Sequence, residues 1–291
     1  MKDSKFVGRH GRRRAVGGLM LGVAMVLAPA AMAAPDEAAR KLLPDDIKQK
    51  GVLVAAMPLD FEPFNYLDDK NAQVGLDVDI FNAIGEVLGL KTEIQRMGFA
   101  SIIPAVKGGR VDAGMSAMGI LEARLPLVSF VRYGHFSNGL IVKKGNPAKV
   151  SNDNGCGVRI AAEKGTQPLF LWQKIADKCA ADGKPRPEIT IFEGKGPQVL
   201  AVESGRADAA AVGYATAIVA AKHSDGKLEA APGGPVPGGT VECGISFAKE
   251  RPQLGEAMKA ALDVLVANGT YDKLFAKWGL SEERASPAIF K

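Results

Sequence analysis

Cysteine, histidine and aromatic side chains are scarce in this chain, and each scarcity narrows what it can be. Among 291 residues there are three cysteines and three histidines, and no two cysteines stand as CxxC. Beyond the amino-terminal segment the histidines are His135 and His223, far apart in sequence. Structural and catalytic zinc sites need clustered Cys and His ligands, so no metal is expected and no cofactor is implied. No Ser-His-Asp set and no phosphate-cradling glycine loop stands out. No apolar run reaches the about 20 residues needed to cross a bilayer.

A net charge is also missing, although the whole chain carries 37 basic and 32 acidic residues. Residues 1–33 hold six of the basic residues and one acidic residue. Their removal leaves 31 of each sign, so the basic character belongs to the leader. A nucleic-acid binder needs a basic footprint on its folded domain, and none is expected here. Within the leader, Arg12, Arg13 and Arg14 precede an apolar stretch over residues 15–28, Pro29 breaks it, and Ala31-Met32-Ala33 offers small residues for cleavage. This is the pattern of a secretory signal peptide cut near Ala33, and it places the mature protein in the periplasm.

What is present is an α/β pattern. Apolar β-type runs such as Val52–Met57 alternate with amphipathic stretches in which Val78, Phe81, Ile84 and Leu88 fall on one helical face. That alternation predicts parallel sheets flanked by helices. The chain also repeats itself: Ala105-Val106-Lys107-Gly108-Gly109-Arg110-Val111-Asp112-Ala113 returns as Ala201-Val202-Glu203-Ser204-Gly205-Arg206-Ala207-Asp208-Ala209, an offset of 96. The repeat reads as helix end, Gly turn and strand entry, and its recurrence implies two lobes of similar build. Residues 138–144 and 241–248 read as crossovers between them. The expected division is 34–143 for the first part of lobe 1, 144–240 for lobe 2 and 241–291 for the return to lobe 1.

Export exposes the cysteines to an oxidising compartment. Cys156 and Cys179 would close a modest loop, and Cys243, in a strand-like run, reads as a buried thiol. Three pairings remain open at the level of sequence.

Pro63-Phe64, Gly75-Leu76-Asp77-Val78-Asp79-Ile80, Phe99, Ile103-Pro104-Ala105, Gly109-Arg110-Val111-Asp112-Ala113 and Glu122-Ala123-Arg124 occur in this order. They are followed by Val142-Lys143-Lys144-Gly145-Asn146-Pro147, Lys164-Gly165-Thr166-Gln167, the second Gly-Arg-Ala-Asp-Ala and Asn268-Gly269-Thr270-Tyr271-Asp272-Lys273. The ordered series resembles the family 3 extracellular solute-binding proteins of ABC transporters. The resemblance implies two doubly wound lobes joined by two crossover strands, the type II periplasmic-binding fold. It also implies a monomer that captures a small carboxylate-bearing polar solute, an amino acid or a derivative, for a permease in the inner membrane.

The same resemblance assigns site residues. Arg124 would grip the ligand's carboxylate, a role that suits the paired donors of a guanidinium. Phe61 and Phe99 would sandwich the side chain. Thr166 and Gln167, at a helix start with Pro168, would complete the carboxylate clamp through free backbone N–H groups. Ala117, Gly119 and Gly213 would bring backbone close to the ligand. The family's usual acids for the ligand ammonium are replaced by Gly213 and Pro58, and a common Ser or Thr by Gly119. Either Asp60 or Glu62 takes over the ammonium, or the ligand carries no ordinary α-amine. Two alternatives are a dehydratase-like enzyme on the same fold, with Glu62 or Glu163 as acid or base, and a soluble sensor.

Overall fold

The computed structural model describes Met1, residues 35–152 and residues 154–291. The leader and its cleavage site lie outside the described residues, Met1 apart. From the start of the described chain, α1 (Glu37–Lys41) and α2 (Asp45–Lys50) lead into β1 (Val52–Met57). The short strands β2 (Asp60–Phe61), β3 (Asn65–Leu67) and β4 (Gln73–Val74) then form a three-stranded antiparallel sheet. Next come α3 (Leu76–Leu88), β5 (Lys91–Arg96), α4 (Phe99–Lys107), β6 (Ala113–Gly114) and β7 (Ser129–Phe136). The middle of the chain supplies β8 (Asn138–Lys143), β9 (Arg159–Glu163), α5 (Gln167–Ala181), β10 (Glu188–Phe192), α6 (Lys195–Glu203), β11 (Ala209–Gly213), α7 (Tyr214–His223) and β12 (Leu228–Ala230). Strand β13 (Val241–Phe247), α8 (Pro252–Ala267), α9 (Thr270–Lys277) and β14 (Arg284–Phe290) complete it.

Two mixed sheets result, in the orders β14-β7-β13-β6-β1-β5 and β10-β9-β11-β8-β12. Strands β5, β1 and β6 run parallel, as do β10, β9 and β11. Each sheet is flanked by apolar clusters on both faces, which is why β1 and β8 read as near-continuous hydrophobic runs rather than alternating ones. Residues 138–143, expected in the first part of lobe 1, pair instead with β11 and β12 of the second sheet. The crossing from one sheet to the other therefore falls at Ser137, and the return falls between β12 and β13. The two crossings touch: Ser137 Oγ lies 2.8 Å from Thr240 Oγ1, and the Asn138 side-chain amide donates to Gly239 O.

The 96-residue repeat is a repeat of structure. Gly109 and Gly205 both turn at positive φ, +68° and +75°, where a side chain would be strained. Asp112 Oδ2 then accepts from Val54 N at 2.9 Å, and Asp208 Oδ2 accepts from Arg159 N at 2.8 Å. Each aspartate thus takes an N–H of the central strand of its parallel trio, β1 in one sheet and β9 in the other. Cys156 and Cys179 form a disulfide across 5.7 Å between Cα atoms, tying the entry to β9 onto α5. Closing a loop of this length is worth roughly 3 kcal/mol in the chain-entropy account. Cys243 is a buried free thiol.

Candidate functional site

The carboxyl ends of the parallel strands from both sheets face a common cavity, where ligands bind in open α/β sheets. Counting the space open at its mouth, it measures about 560 Å³. Phe61, Phe99, Ala117, Gly119, Thr166, Gln167 and Gly213, all expected at the site, line it. Most are delivered by element ends, while Ala117 and Gly119 lie in the loop after β6. Phe61 ends β2, Phe99 starts α4, Thr166 caps α5 and Gly213 closes β11. The cap is direct: Thr166 Oγ1 accepts from Leu169 N at 3.5 Å and donates to Glu163 O at 2.7 Å.

The Phe61 ring stands 4.8 Å from Phe64, which meets Phe136 edge-on at 4.7 Å, so the aromatic wall is braced from behind. Gly75 permits this arrangement. A Cβ there would lie 2.1 Å from Phe64 O, and its φ is +129°. Ala117 also sits at positive φ, +40°. Its N–H is held by Asp77 Oδ2 at 3.1 Å and its carbonyl receives the Cys243 thiol at 3.1 Å. Asp77 is fully buried and also accepts from Asn65 Nδ2 and Tyr133 Oη. Burial pushes its carboxyl up to about 6, against the lowering effect of those three donors.

Arg124 lies beside the cavity rather than in its lining. It shares an adjoining cleft with Phe99, Met118, Leu127 and Gly165, and its guanidinium carbon is 5.5 Å from the Phe99 ring centre. Nη1 donates to Gly119 O at 2.5 Å and Nη2 to Gly165 O at 2.7 Å. The residue is 5% exposed, and burial lowers its pKa to about 10, which leaves it cationic at neutral pH. Its two carbonyl partners belong to different halves of the molecule, one beside the first sheet and one in the turn after β9.

Asp60 and Glu62 do not line the main cavity. They border a second cleft with Ile141, Gly196 and Thr216, where Glu62 Oε2 meets His223 Nδ1 at 3.1 Å. A Cβ built on Gly213 would meet Thr216 Oγ1 at 3.6 Å and Phe61 Cζ at 3.8 Å, so this position faces the Phe61 ring. Tyr214 turns away and packs against Gly139.

The acid inside the cavity is Glu163, the last residue of β9, and its partner is Lys195, the first residue of α6. Lys195 Nζ is 2.6 Å from Glu163 Oε2 and 3.9 Å from the centre of the Phe61 ring. Gln198, one turn further along α6, donates from Nε2 to Ala161 O and Ala211 O. Its Oε1 is buried without a hydrogen-bond partner among the described residues. Glu163 figures in the sequence reading only as a possible acid or base, and Lys195 and Gln198 do not figure in it. The signal for Lys195 was nevertheless present. The offset of 96 carries Gly98 and Phe99, at the start of α4, onto Gly194 and Lys195, at the start of α6.

Comparison with known proteins agrees with this geometry. The arginine-binding protein ArgT of Corynebacterium glutamicum is 27% identical over 256 residues, covering 85% of this chain and 81% of ArgT. The ABC transporter glutamine-binding protein GlnH of Bacillus subtilis is 26% identical over 238 residues, covering 80% and 82%. Among solved structures, the ancestral amino acid-binding protein AncCDT-1, a precursor of cyclohexadienyl dehydratase, superposes with a TM-score of 0.65 at 27% identity, over 82% of this chain and 99% of that one. Residues 53–281 match the model of the bacterial extracellular solute-binding proteins, family 3, and the chain belongs to that family.

Proposed function

We propose that the mature protein is the solute-capturing component of an ABC importer and that its ligand is an amino acid or a close derivative. The carrying observation is the cavity itself, which both sheets line and across whose edge Arg124 already bonds to both halves. In this reading residues 138–230 form one lobe, and the residues before Ser137 together with 241–291 form the other. Ser137 and the segment 231–240 are the hinge. On closure the ligand carboxylate takes the Arg124 donors now held by Gly119 O and Gly165 O, with further N–H groups from the start of α5. The protein works as a periplasmic monomer and hands its solute to a membrane permease.

Binding without turnover fits the cavity better than catalysis does. Of the two acids available as general acid or base, Glu62 is outside it and Glu163 is engaged by Lys195. The test is calorimetric titration of mature protein with proteinogenic amino acids and simple carboxylates, followed by recovery of the solute. One polar amino acid should bind with unit stoichiometry and be recovered intact. Heat from none of them, or a chemically altered solute, would refute the assignment.

A further inference from the structure

The cavity carries its own cation. A ligand ending in guanidinium or ammonium would seek a carboxylate and an aromatic face. Glu163 and Phe61 offer both, and Lys195 Nζ occupies both, at 2.6 Å and 3.9 Å. The pair is a built feature rather than a surface contact. Lys195 is 9% exposed and Glu163 4% exposed. Gln198 Oε1 adds an acceptor on the same face of α6, since its Nε2 is committed to two backbone carbonyls.

We infer that Lys195 is a specificity-determining residue that fills the cation seat from within, so that the site prefers an amino acid with a neutral carboxamide side chain over one with a cationic end. The inference rests on the amino-acid-binding reading given above. A guanidinium has two ways in. It can displace Lys195 from a buried ion pair, leaving a charge unmatched, or it can sit beside it, placing like charges together where solvent screens them little. A second carboxylate would accept from Lys195, but it would also face Glu163 and Gln198 Oε1, neither of which has a proton to give. A carboxamide avoids both conflicts. Its oxygen accepts from Lys195, which retains spare N–H donors, and its NH2 group donates to Gln198 Oε1.

The test is calorimetry of the mature protein with glutamine, glutamate, arginine and lysine. Wild type should favour glutamine over arginine by about tenfold or more, the equivalent of one good polar contact. In Lys195→Met, arginine affinity should rise about tenfold and glutamine affinity should fall, because Glu163 and Phe61 become free. Lys195→Arg keeps a cation on the seat and should keep arginine out. Lys195→Met leaves Glu163 buried and unmatched. The double variant Lys195→Met/Glu163→Gln removes that charge and serves if the single variant folds poorly. It should bring the glutamine-to-arginine ratio to within about threefold, without a gain in arginine affinity. Wild type binding arginine as tightly as glutamine would overturn the inference alone. So would a wild-type ratio persisting in both the single and the double variant. Absence of binding by these four while another amino acid binds would overturn the inference alone, and absence of binding by every proteinogenic amino acid would overturn the amino-acid reading and this assignment with it.

Discussion

Asp77 is the residue on which the site's backbone geometry hangs. It holds the N–H of Ala117 at positive φ while itself fully buried, and that burial raises its carboxyl from 3.8 to about 6. The folded protein therefore binds this proton more tightly than the unfolded chain does. The contribution of Asp77 to stability is greatest below about pH 4 and is lost as pH rises through about 6, with about 3 kcal/mol as the upper bound. Denaturant midpoints compared across pH 4 to 7 should show that loss in wild type and a flatter profile in Asp77→Asn. Parallel profiles would show that Asp77 does not titrate in this range. On the other side of the Ala117 peptide the Cys243 thiol is driven upward by burial, which keeps it neutral and suited to donating to the Ala117 carbonyl.

At the scale of elements, the two copies of the Gly-Arg-x-Asp-Ala turn do the same work in different surroundings. Asp112 takes the N–H of Val54 in a buried setting and also meets Lys50 and Arg251. Asp208 takes the N–H of Arg159 at an exposed strand start, with the Arg159 guanidinium as further partner. Removing either carboxylate frees one strand N–H, but only the second can turn to water. Asp112→Ala should cost about 1–3 kcal/mol and Asp208→Ala clearly less. Equal losses in chemical denaturation would show that the difference in burial does not set the worth of the two caps. The shared repeat was legible as a string of letters. Its function as a strand cap was not, because the partner N–H groups lie 58 and 49 residues away in sequence.

For the whole molecule the question is how binding couples to closure. Arg124 bonds to both halves, through Gly119 O and Gly165 O. Arg124→Ala should therefore do two things together. It should weaken ligand binding by about a hundredfold, the worth of a paired charge-assisted contact, and it should increase the radius of gyration of the ligand-free protein in small-angle scattering. A variant with unaltered affinity and unaltered size would remove Arg124 from both roles.

The sequence by itself determined the alternation of strands and helices, the duplication and part of the cavity wall. Period-3.6 and continuous apolar runs report local burial; Phe61 and Phe99 were legible only through the family resemblance, Thr166 through the helix start at Pro168, and Gly213 through the small-residue segment after the repeat. Tertiary structure decided the rest. Residues 138–144 look like a crossover because a wholly buried strand reads the same in either sheet, and only pairing with β11 and β12 assigns residues 138–143 to the second. Asp60 precedes Phe61 in β2, where adjacent residues point to opposite faces, and Glu62 lies in the turn that follows; both border another cleft. Glu163 and Lys195, 32 residues apart, become an ion pair only when β9 and α6 are brought end to end. The charge balance of the site is thus a property of packing, which no local pattern encodes.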